Sequence, residues 1–352
     1  MKKITSIALA TCMVGSIFAF SGCGNGSVSG AVKGDYKQIT AENQEQVVQE
    51  LDAFEQNFSQ VNSGGLMGDT TKPNWSYGVS FEESFNVEYD IAASTRGKVN
   101  AKSNLAIAMY KEGTEMAVKG MGSVDFSIKN TTIGTVFDDG DSVTDLKVSA
   151  KASAFDGYAY ADITMSGKMD NEPIDDSMKA ISGKVSYSAL GGLLEDYMGD
   201  FNFDNIGSSE SVVSLGQMVA GLQEMGLPVS YELSEKSGLK LKVSITQAMI
   251  EAMLSESASE EISYAMSMET PAVNFKACKL DMYLVISETG LLKQFSADVN
   301  INMEIPDGSG KSFVKASGAL VVKADSQVKV TVDASKKTDE KYQDYSAFLG
   351  MM

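Results

Sequence analysis

The chain has no histidine among its 352 residues. Without an imidazole, the Ser-His-Asp and Cys-His units that activate a hydroxyl or thiol nucleophile cannot be built. Zinc sites also lose their commonest nitrogen ligand. Enzymes that use only carboxylates, lysine or tyrosine stay compatible with this composition, but no spacing singles out a pair among the 47 acidic residues. The sequence therefore predicts a protein that is not an enzyme and has no cofactor.

Cysteine is also scarce. Of the 3 cysteines, Cys12 and Cys23 belong to the N-terminal segment, which leaves Cys278 without an intrachain partner. Cys278 stands in a strand-like stretch over 275–280. We therefore expect it to be a small buried apolar residue and not a nucleophile.

Basic residues are few in comparison with acidic ones. The chain has 29 Lys and Arg against 47 Asp and Glu, a formal net charge of −18. Removal of an N-terminal signal with Lys2 and Lys3 leaves 27 against 47, or −20. Such a surface repels nucleic acids and anionic headgroups. We expect no nucleic-acid partner, and any membrane attachment must come from acyl chains and not from a basic patch.

The first 22 residues have the features of an export signal. Two lysines precede an apolar stretch over 4–20, and Ser21 and Gly22 stand directly before Cys23. A charged start, a short apolar run and small residues before the cleavage point are typical of a secretory signal peptide. The apolar run is too short to span a bilayer well.

The residues Phe20-Ser-Gly-Cys23 resemble the lipobox of bacterial lipoproteins, with Phe20 where Leu is commoner. The resemblance implies that Cys23 is acylated, and that the mature chain is lipid-anchored in the cell envelope, on the extracytoplasmic side of a bacterial membrane. An ordinary secretory signal with a chance cysteine is the alternative. Residues 23–38 begin with a Gly/Ser-rich stretch and predict a flexible tether. Residues 39–352 then form a single domain.

The spacing of apolar residues predicts several amphipathic helices. Val47, Leu51, Phe54 and Phe58 lie on one face of a helix that starts near Thr40. Further helices are predicted over 190–201, 209–225, 246–254 and 338–349. The first helix and the helix over 209–225 each carry an apolar stripe on an otherwise polar surface, so both need a larger surface to pack on. The helix over 338–349 is short and polar.

From Tyr77 the period of the apolar residues changes to two, with Glu83 as the one break in the first long strand. Eleven strands are predicted, over 77–91, 99–109, 116–128, 146–154, 159–165, 228–233, 239–243, 280–286, 291–305, 314–322 and 328–332. Short turn-like clusters separate most of them, which favours antiparallel pairing. The predicted fold class is α+β, mainly antiparallel β, with one long-stranded curved sheet.

Acidic clusters around glycine are the remaining candidates for a metal. Asp138, Asp139, Asp141 and Asp145 surround one turn, and a second group lies within 170–176. Oxygen-rich loops suit calcium, but the spacing does not match an EF-hand loop, and Asp/Gly clusters are ordinary turn chemistry. The sequence predicts no metal site and leaves calcium open for the turn at 138–145.

An export signal with a lipobox, an amphipathic first helix, five long meandering strands, central helices and a closing set of strands resemble one known group. This is the superfamily of lipoprotein-localisation factors and related lipid-binding lipoproteins. The similarity is one of pattern over 41–332, and the segment 284–299 looks like a hairpin found late in such proteins. The resemblance implies an incomplete antiparallel barrel, closed by a helical lid over an apolar cavity.

We therefore expect a non-enzymatic, membrane-anchored monomer that binds a lipid or another hydrophobic small molecule between its sheet and its helices. The residues predicted to line this cavity are Phe81, Phe85, Tyr89, Leu215, Met218, Leu222, Phe295 and Val299. The soluble carriers of the superfamily lack a lipobox and use an arginine in an early strand to hold the lid. Here the sole arginine, Arg96, is predicted to lie in a turn.

Two alternatives remain. One is a structural or adhesive surface lipoprotein with a solid core and no ligand. The other is a hydrolase of envelope polymers that uses a carboxylate pair, which would lie in a cleft with perturbed pKa values.

Overall fold

The structure is a computed structural model that describes residues 28–59, 74–91, 95–112, 115–133, 140–188, 214–252, 274–288, 290, 292–305, 312–325, 328 and 330–346. Several predictions lie outside these residues. They concern the signal peptide, acylation of Cys23, the helix at 190–201, and Asp138 and Asp139 of the first acidic cluster.

Within the described residues the chain forms fifteen strands. They are β1 (Lys37–Gln38), β2 (Asn74–Ile91), β3 (Thr95–Glu112), β4 (Glu115–Thr132), β5 (Ser142–Phe155), β6 (Tyr158–Met169), β7 (Glu172–Pro173), β8 (Ala180–Ser186), β9 (Val229–Ser234), β10 (Gly238–Ile245), β11 (Asn274–Phe275), β12 (Lys279–Ile286), β13 (Leu292–Glu304), β14 (Phe313–Asp325) and β15 (Gln343–Asp344).

All fifteen strands belong to one sheet with the order β1-β9-β10-β12-β13-β14-β2-β3-β4-β5-β6-β8-β15, in which β11 also pairs with β13 and β7 with β6. The pairs are antiparallel, except that β15 runs parallel to β8. In the described part of the chain β1 and β15 end this order at opposite edges, so the sheet is open there. The prediction of a mainly antiparallel, unclosed sheet of long strands is confirmed.

The predicted number of eleven strands is wrong. Four of the additional strands are pairs of residues, too short to show a period, and the fifth is β8, where glycine interrupts the alternation. The predicted strand over 328–332 is absent from its described residues, which cross the sheet instead. Arg96 belongs to β3 and not to a turn, because β2 and β3 pair up to the hairpin end.

Helix α1 (Gln44–Ser59) and helix α2 (Leu215–Glu224) pack together on one end of the sheet. Ser214 begins α2 through a capping box with Gln217, which satisfies backbone donors at the helix start. Residues 247–252 form a third helix, α3. Its Ile250 packs against Phe275 and Ile301.

These helices do not form the predicted lid. The cluster that α1 and α2 share with the sheet draws on β9, β10 and β12, and Leu51, Val219 and Leu239 within it are fully buried. A stripe of apolar residues on a helix predicts that the helix packs, but it does not say over which strands. The predicted helix at 338–349 is absent from residues 338–345, which form turns and β15. The rest of that prediction, from residue 347 onward, lies outside the described residues.

The strand register divides the sheet into two faces, because successive side chains point to opposite sides. We call the side that carries Phe81 and its cross-strand partners the helix face, since α1 and α2 pack on this side, over β9, β10 and β12. We call the opposite side, which carries Glu82 and its partners, the strap face.

Segments near both ends of the described chain cross the strap face. Of the predicted tether, residues 28–38 are described. The Ser296 hydroxyl donates to the Gly30 carbonyl at 2.5 Å, and the Gly30 amide donates to an Asp298 carboxylate oxygen at 2.6 Å. A Cβ at Gly30 would lie 2.5 Å from the Ala297 carbonyl oxygen, so only glycine allows this approach.

We call residues 328 and 330–346 the C-terminal strap. It starts where Val328 covers Gly78 of β2, and the Val330 amide donates to the Tyr110 hydroxyl of β3 at 3.1 Å. It ends beside β6 and β8, where Tyr342 packs edge-on against Tyr160 with ring centroids 5.5 Å apart. One short segment therefore ties together the strands from β2 to β8.

Candidate functional site

The helix face continues as an apolar surface beyond the part that α1 and α2 cover. One cross-strand row runs over five strands from Phe81 through Leu105, Gly122 and Ala152 to Ala161. A parallel row contains Phe85, Ala101, Phe126, Val148 and Met165. The five strands β2 to β6 span about 19 Å at the usual strand spacing. The surface is wide enough for an extended aliphatic chain.

Part of this surface is open. Ile107 of β3 is 38% exposed, and Val118 and Val124 of β4 are 44% and 42% exposed. By register Val118 and Ile107 lie on the same face in adjacent rows. The accessible apolar area therefore lies on β3 and β4, while the area beneath α1 and α2 is a solid core.

One end of the helix face is closed by its own side chains. Phe85, Tyr89 and Val87 pack with Ile305 and Val314. The Tyr89 hydroxyl reaches across β3 and donates to the Asn130 side-chain oxygen at 3.1 Å. A Cβ at Gly97 would lie 2.5 Å from the Tyr89 hydroxyl oxygen, so the glycine makes room for the ring.

A single acid, Glu83, lies in the middle of the helix face. Its side chain is 7% exposed, and the Ser103 hydroxyl, itself in a residue 9% exposed, donates to its carboxylate at 3.4 Å. Burial raises the pKa of Glu83 to about 7, and the hydrogen bond from Ser103 opposes this only in part. Glu83, which interrupts the alternation of apolar residues in β2, is therefore a buried acid and not an exposed residue at a bulge.

The eight predicted lining residues all belong to the helix-face side, but they do not surround one cavity. Leu215, Met218 and Leu222 of α2 pack in the helix–sheet cluster. Phe85 and Tyr89 belong to the closed end, and Val299 packs near Ile250 and Cys278. Phe81 and Phe295 lie opposite each other across β14, in register with Val322. Their role in binding stays a prediction.

The open residues Ile107, Val118 and Val124 were not among the predicted lining residues. The signal for them was present in the sequence, because each falls on the apolar phase of a predicted strand. Sequence alone could not show which strands the helices leave open.

A groove of about 430 Å³ lies on the strap face and not beneath the helices. It follows two adjoining cross-strand rows and contains Lys102, Asp125, Lys147 and Thr164. Charged groups of both signs make this groove unsuitable for an aliphatic chain.

The side chains of the second acidic cluster, within 170–176, stabilise local turns. Asp170 accepts a hydrogen bond from the Ser142 hydroxyl at 2.8 Å, and Asp175 caps the 3-10 helix (Asp176–Met178) through the Ser177 amide. Among the described residues, no three His, Cys, Asp or Glu side chains come close enough to hold a metal ion.

Cys278 is buried, as predicted, and its sulfur lies 3.4 Å from the Asn302 carbonyl oxygen. No helix in the described part of the chain is both long and apolar enough to cross a bilayer.

Comparison with known proteins gives only distant similarities of structure. No protein-family model matches the chain, and no curated protein matches it. The translocator domain of the autotransporter NalP from Neisseria meningitidis is 8% identical, with 81% of this chain and 99% of that chain covered and a TM-score of 0.12. A beta-barrel-like protein of a domain of unknown function from Brucella abortus is 9% identical, with 70% and 97% covered and a TM-score of 0.13.

A porin-like protein from Bacteroides uniformis is 10% identical, with 70% of this chain and 96% of that chain covered and a TM-score of 0.09. None of these three is a lipoprotein-localisation factor. TM-scores this low carry no argument about fold or function. In its described residues the chain defines its class by structure alone, a protein of one large, open, mainly antiparallel sheet.

Proposed function

We propose that the chain is a lipid-anchored extracytoplasmic protein, without catalytic activity, that binds an amphiphile on the open helix face of β3 and β4. The observation that carries this proposal is the group Ile107, Val118 and Val124, which are exposed on an apolar surface that continues over neighbouring strands. Burial of an acyl chain there stabilises a complex by about 0.8 kcal/mol for each CH₂ group.

The N-terminal contacts determine which part of the sheet an acyl anchor on Cys23 would hold near the membrane. Gly30 is fastened to β13, and it stands only seven positions after Cys23. An extended chain of this length spans at most about 25 Å. Acyl chains on Cys23 would therefore hold the strap face of β13 close to the membrane surface.

The test is to purify the chain without its signal and with Cys23 replaced, and to record native mass spectra before and after incubation with a mixture of lipids and long-chain alcohols. We expect adducts of amphiphile mass on the folded protein, at one main stoichiometry. Spectra of the bare chain under every condition would contradict the proposal.

The solid core beneath α1 and α2 favours a second candidate, a structural surface lipoprotein whose helix face contacts another protein. In that case the same spectra would show no amphiphile. Val118 and Val124 would instead be protected from hydrogen exchange only in envelope preparations that contain the partner.

A further inference from the structure

The acid on the helix face lies beside the open apolar area. Along β2, Glu83 stands between Phe81 and Phe85. Across the sheet it faces Leu320 on one side and Ser103 on the other. The next residue in that row is Val124, which is 42% exposed. A ligand that lies over Val124 would therefore be about 5 Å from Ser103, which is one strand away, and about 10 Å from Glu83, which is two strands away.

No positive charge on the same face compensates this acid in the described residues. The helix-face neighbours of Glu83 on β14 are Gly318, Leu320 and Val322, and on β3 they are Ala101, Ser103 and Leu105. None of these side chains is titratable. The charged residues of the same strands near this row, which lie on the strap face, are Glu82, Lys102 and Lys323.

Burial of a carboxyl group among apolar side chains costs folding free energy unless a partner stabilises it. The Ser103 hydroxyl supplies one hydrogen bond to Glu83, at 3.4 Å, and no ion pair with a lysine or arginine occurs among the described residues. An ammonium group that approached from the open side would form a charge-assisted hydrogen bond in a poorly solvated place, where such bonds are strong.

We propose that the ligand of the helix face is a cationic amphiphile, an aliphatic chain with an amine head, and that Glu83 is its ion-pairing partner. This inference rests on the proposed function and adds the chemical class of its ligand. The chain of the ligand lies on Ile107, Val118 and Val124, and the amine reaches Glu83 and Ser103. The acidic balance of the protein, 47 acidic against 29 basic residues, also attracts cations and repels anionic amphiphiles.

The proposal fixes the pH dependence of binding. Burial raises the pKa of Glu83 to about 7, so the carboxyl group is mainly neutral below that pH and ionised above it. An alkyl amine stays protonated throughout this range, with a pKa near that of lysine, about 10.4. Affinity for the amine should therefore fall by up to about tenfold for each pH unit below 7.

The experiment measures the binding of decylamine, below its micelle-forming concentration, and of decanol, below its solubility limit, by titration calorimetry at pH 8 and pH 5.5. It compares the natural chain with the variants Glu83→Gln and Glu82→Gln. The second variant removes the same charge from the next residue of the same strand, but on the strap face. Decanol has the same chain length and no charge.

We expect decylamine to bind the natural chain and Glu82→Gln about 10 to 100 times more tightly than Glu83→Gln at pH 8, because only the last lacks the ion pair. At pH 5.5 this preference should shrink to a small factor, and decanol should bind all three alike. Equal affinity of decylamine for Glu83→Gln and the natural chain would overturn the amine assignment, and decanol binding would leave the proposed function standing.

If neither compound binds any of the three proteins, both the assignment and the proposed function are wrong. If Glu83→Gln does not fold, the pH series on the natural chain decides the question. An affinity for decylamine that does not change between pH 8 and pH 5.5 would overturn the assignment.

Discussion

Replacing Val124 with aspartate should lower the affinity for a long-chain amphiphile by about 100-fold, since a charge beneath a bound chain loses its solvation as well as the apolar contact of valine. Val124 is 42% exposed on the helix face of β4. The folded state should tolerate the change, because an exposed carboxylate stays hydrated in the free protein. Titration of decanol into the purified variant measures the effect.

Met121 supplies the matched control. It belongs to the same strand and is 38% exposed, but the register places it on the strap face. We expect Met121→Asp to bind decanol with unchanged affinity. Loss of binding in both variants would show that the effect of Val124→Asp arises from the strand and not from a site on the helix face.

The second large effect is expected at Asp162, which holds the C-terminal strap to β6. Its carboxylate accepts hydrogen bonds from four groups, which are the amines of Lys336 and Lys341, the hydroxyl of Tyr342 and the hydroxyl of Ser182. Their distances run from 2.7 to 3.0 Å. Asp162→Ala should lower the free energy of unfolding by about 2–4 kcal/mol, because it leaves Lys336 partly buried without its counter-ion.

Urea unfolding measures this loss, and hydrogen exchange locates it. The Val330 amide, which donates to the Tyr110 hydroxyl, should lose protection when the strap is released. Asp156 pairs with Lys337 of the same strap at 2.9 Å, but both side chains are 59% exposed. Asp156→Ala should therefore cost less than about 1 kcal/mol. Equal losses in the two variants would contradict the role given to Asp162.

The same network makes the strap sensitive to acid. Burial alone would raise the pKa of Asp162, but the hydrogen bonds from Lys336, Tyr342 and the other two donors hold it well below its usual range. A carboxyl group whose pKa is lowered by folding stabilises the folded state above its ordinary pKa and ceases to do so as the pH falls. The difference in stability between the natural chain and Asp162→Ala should therefore disappear in strong acid.

The long strands could be predicted from sequence because a period of two persists over many residues in each. β2 is an example, in which every second residue from Tyr77 to Ile91 is apolar except Glu83. The prediction of where α2 starts is less exact, because the start is set by the capping box of Ser214 and Gln217 and not by the apolar stripe. Two-residue strands carry no period, so sequence reasoning could not find them.

The positions of residues 28–38 and of the C-terminal strap could not be predicted for a different reason. They depend on contacts between residues far apart in the chain, such as Gly30 with Asp298 and Asp162 with Lys336. A Gly/Ser-rich segment reads as a flexible tether until the surface that binds it is known. The position of the helices had the same difficulty, and for that reason the open residues of β3 and β4 were missed.

The most direct test of the central claim is to locate a bound chain on the sheet. Methyl NMR spectra of the isotope-labelled protein, recorded with a spin-labelled long-chain alcohol, report which methyl groups the chain approaches. We predict strong broadening at Ile107, Val118 and Val124, and little at Val219 and Leu239, which are buried beneath the helices. Broadening confined to the helix-covered cluster, or none at any methyl group, would contradict a binding site on the open helix face.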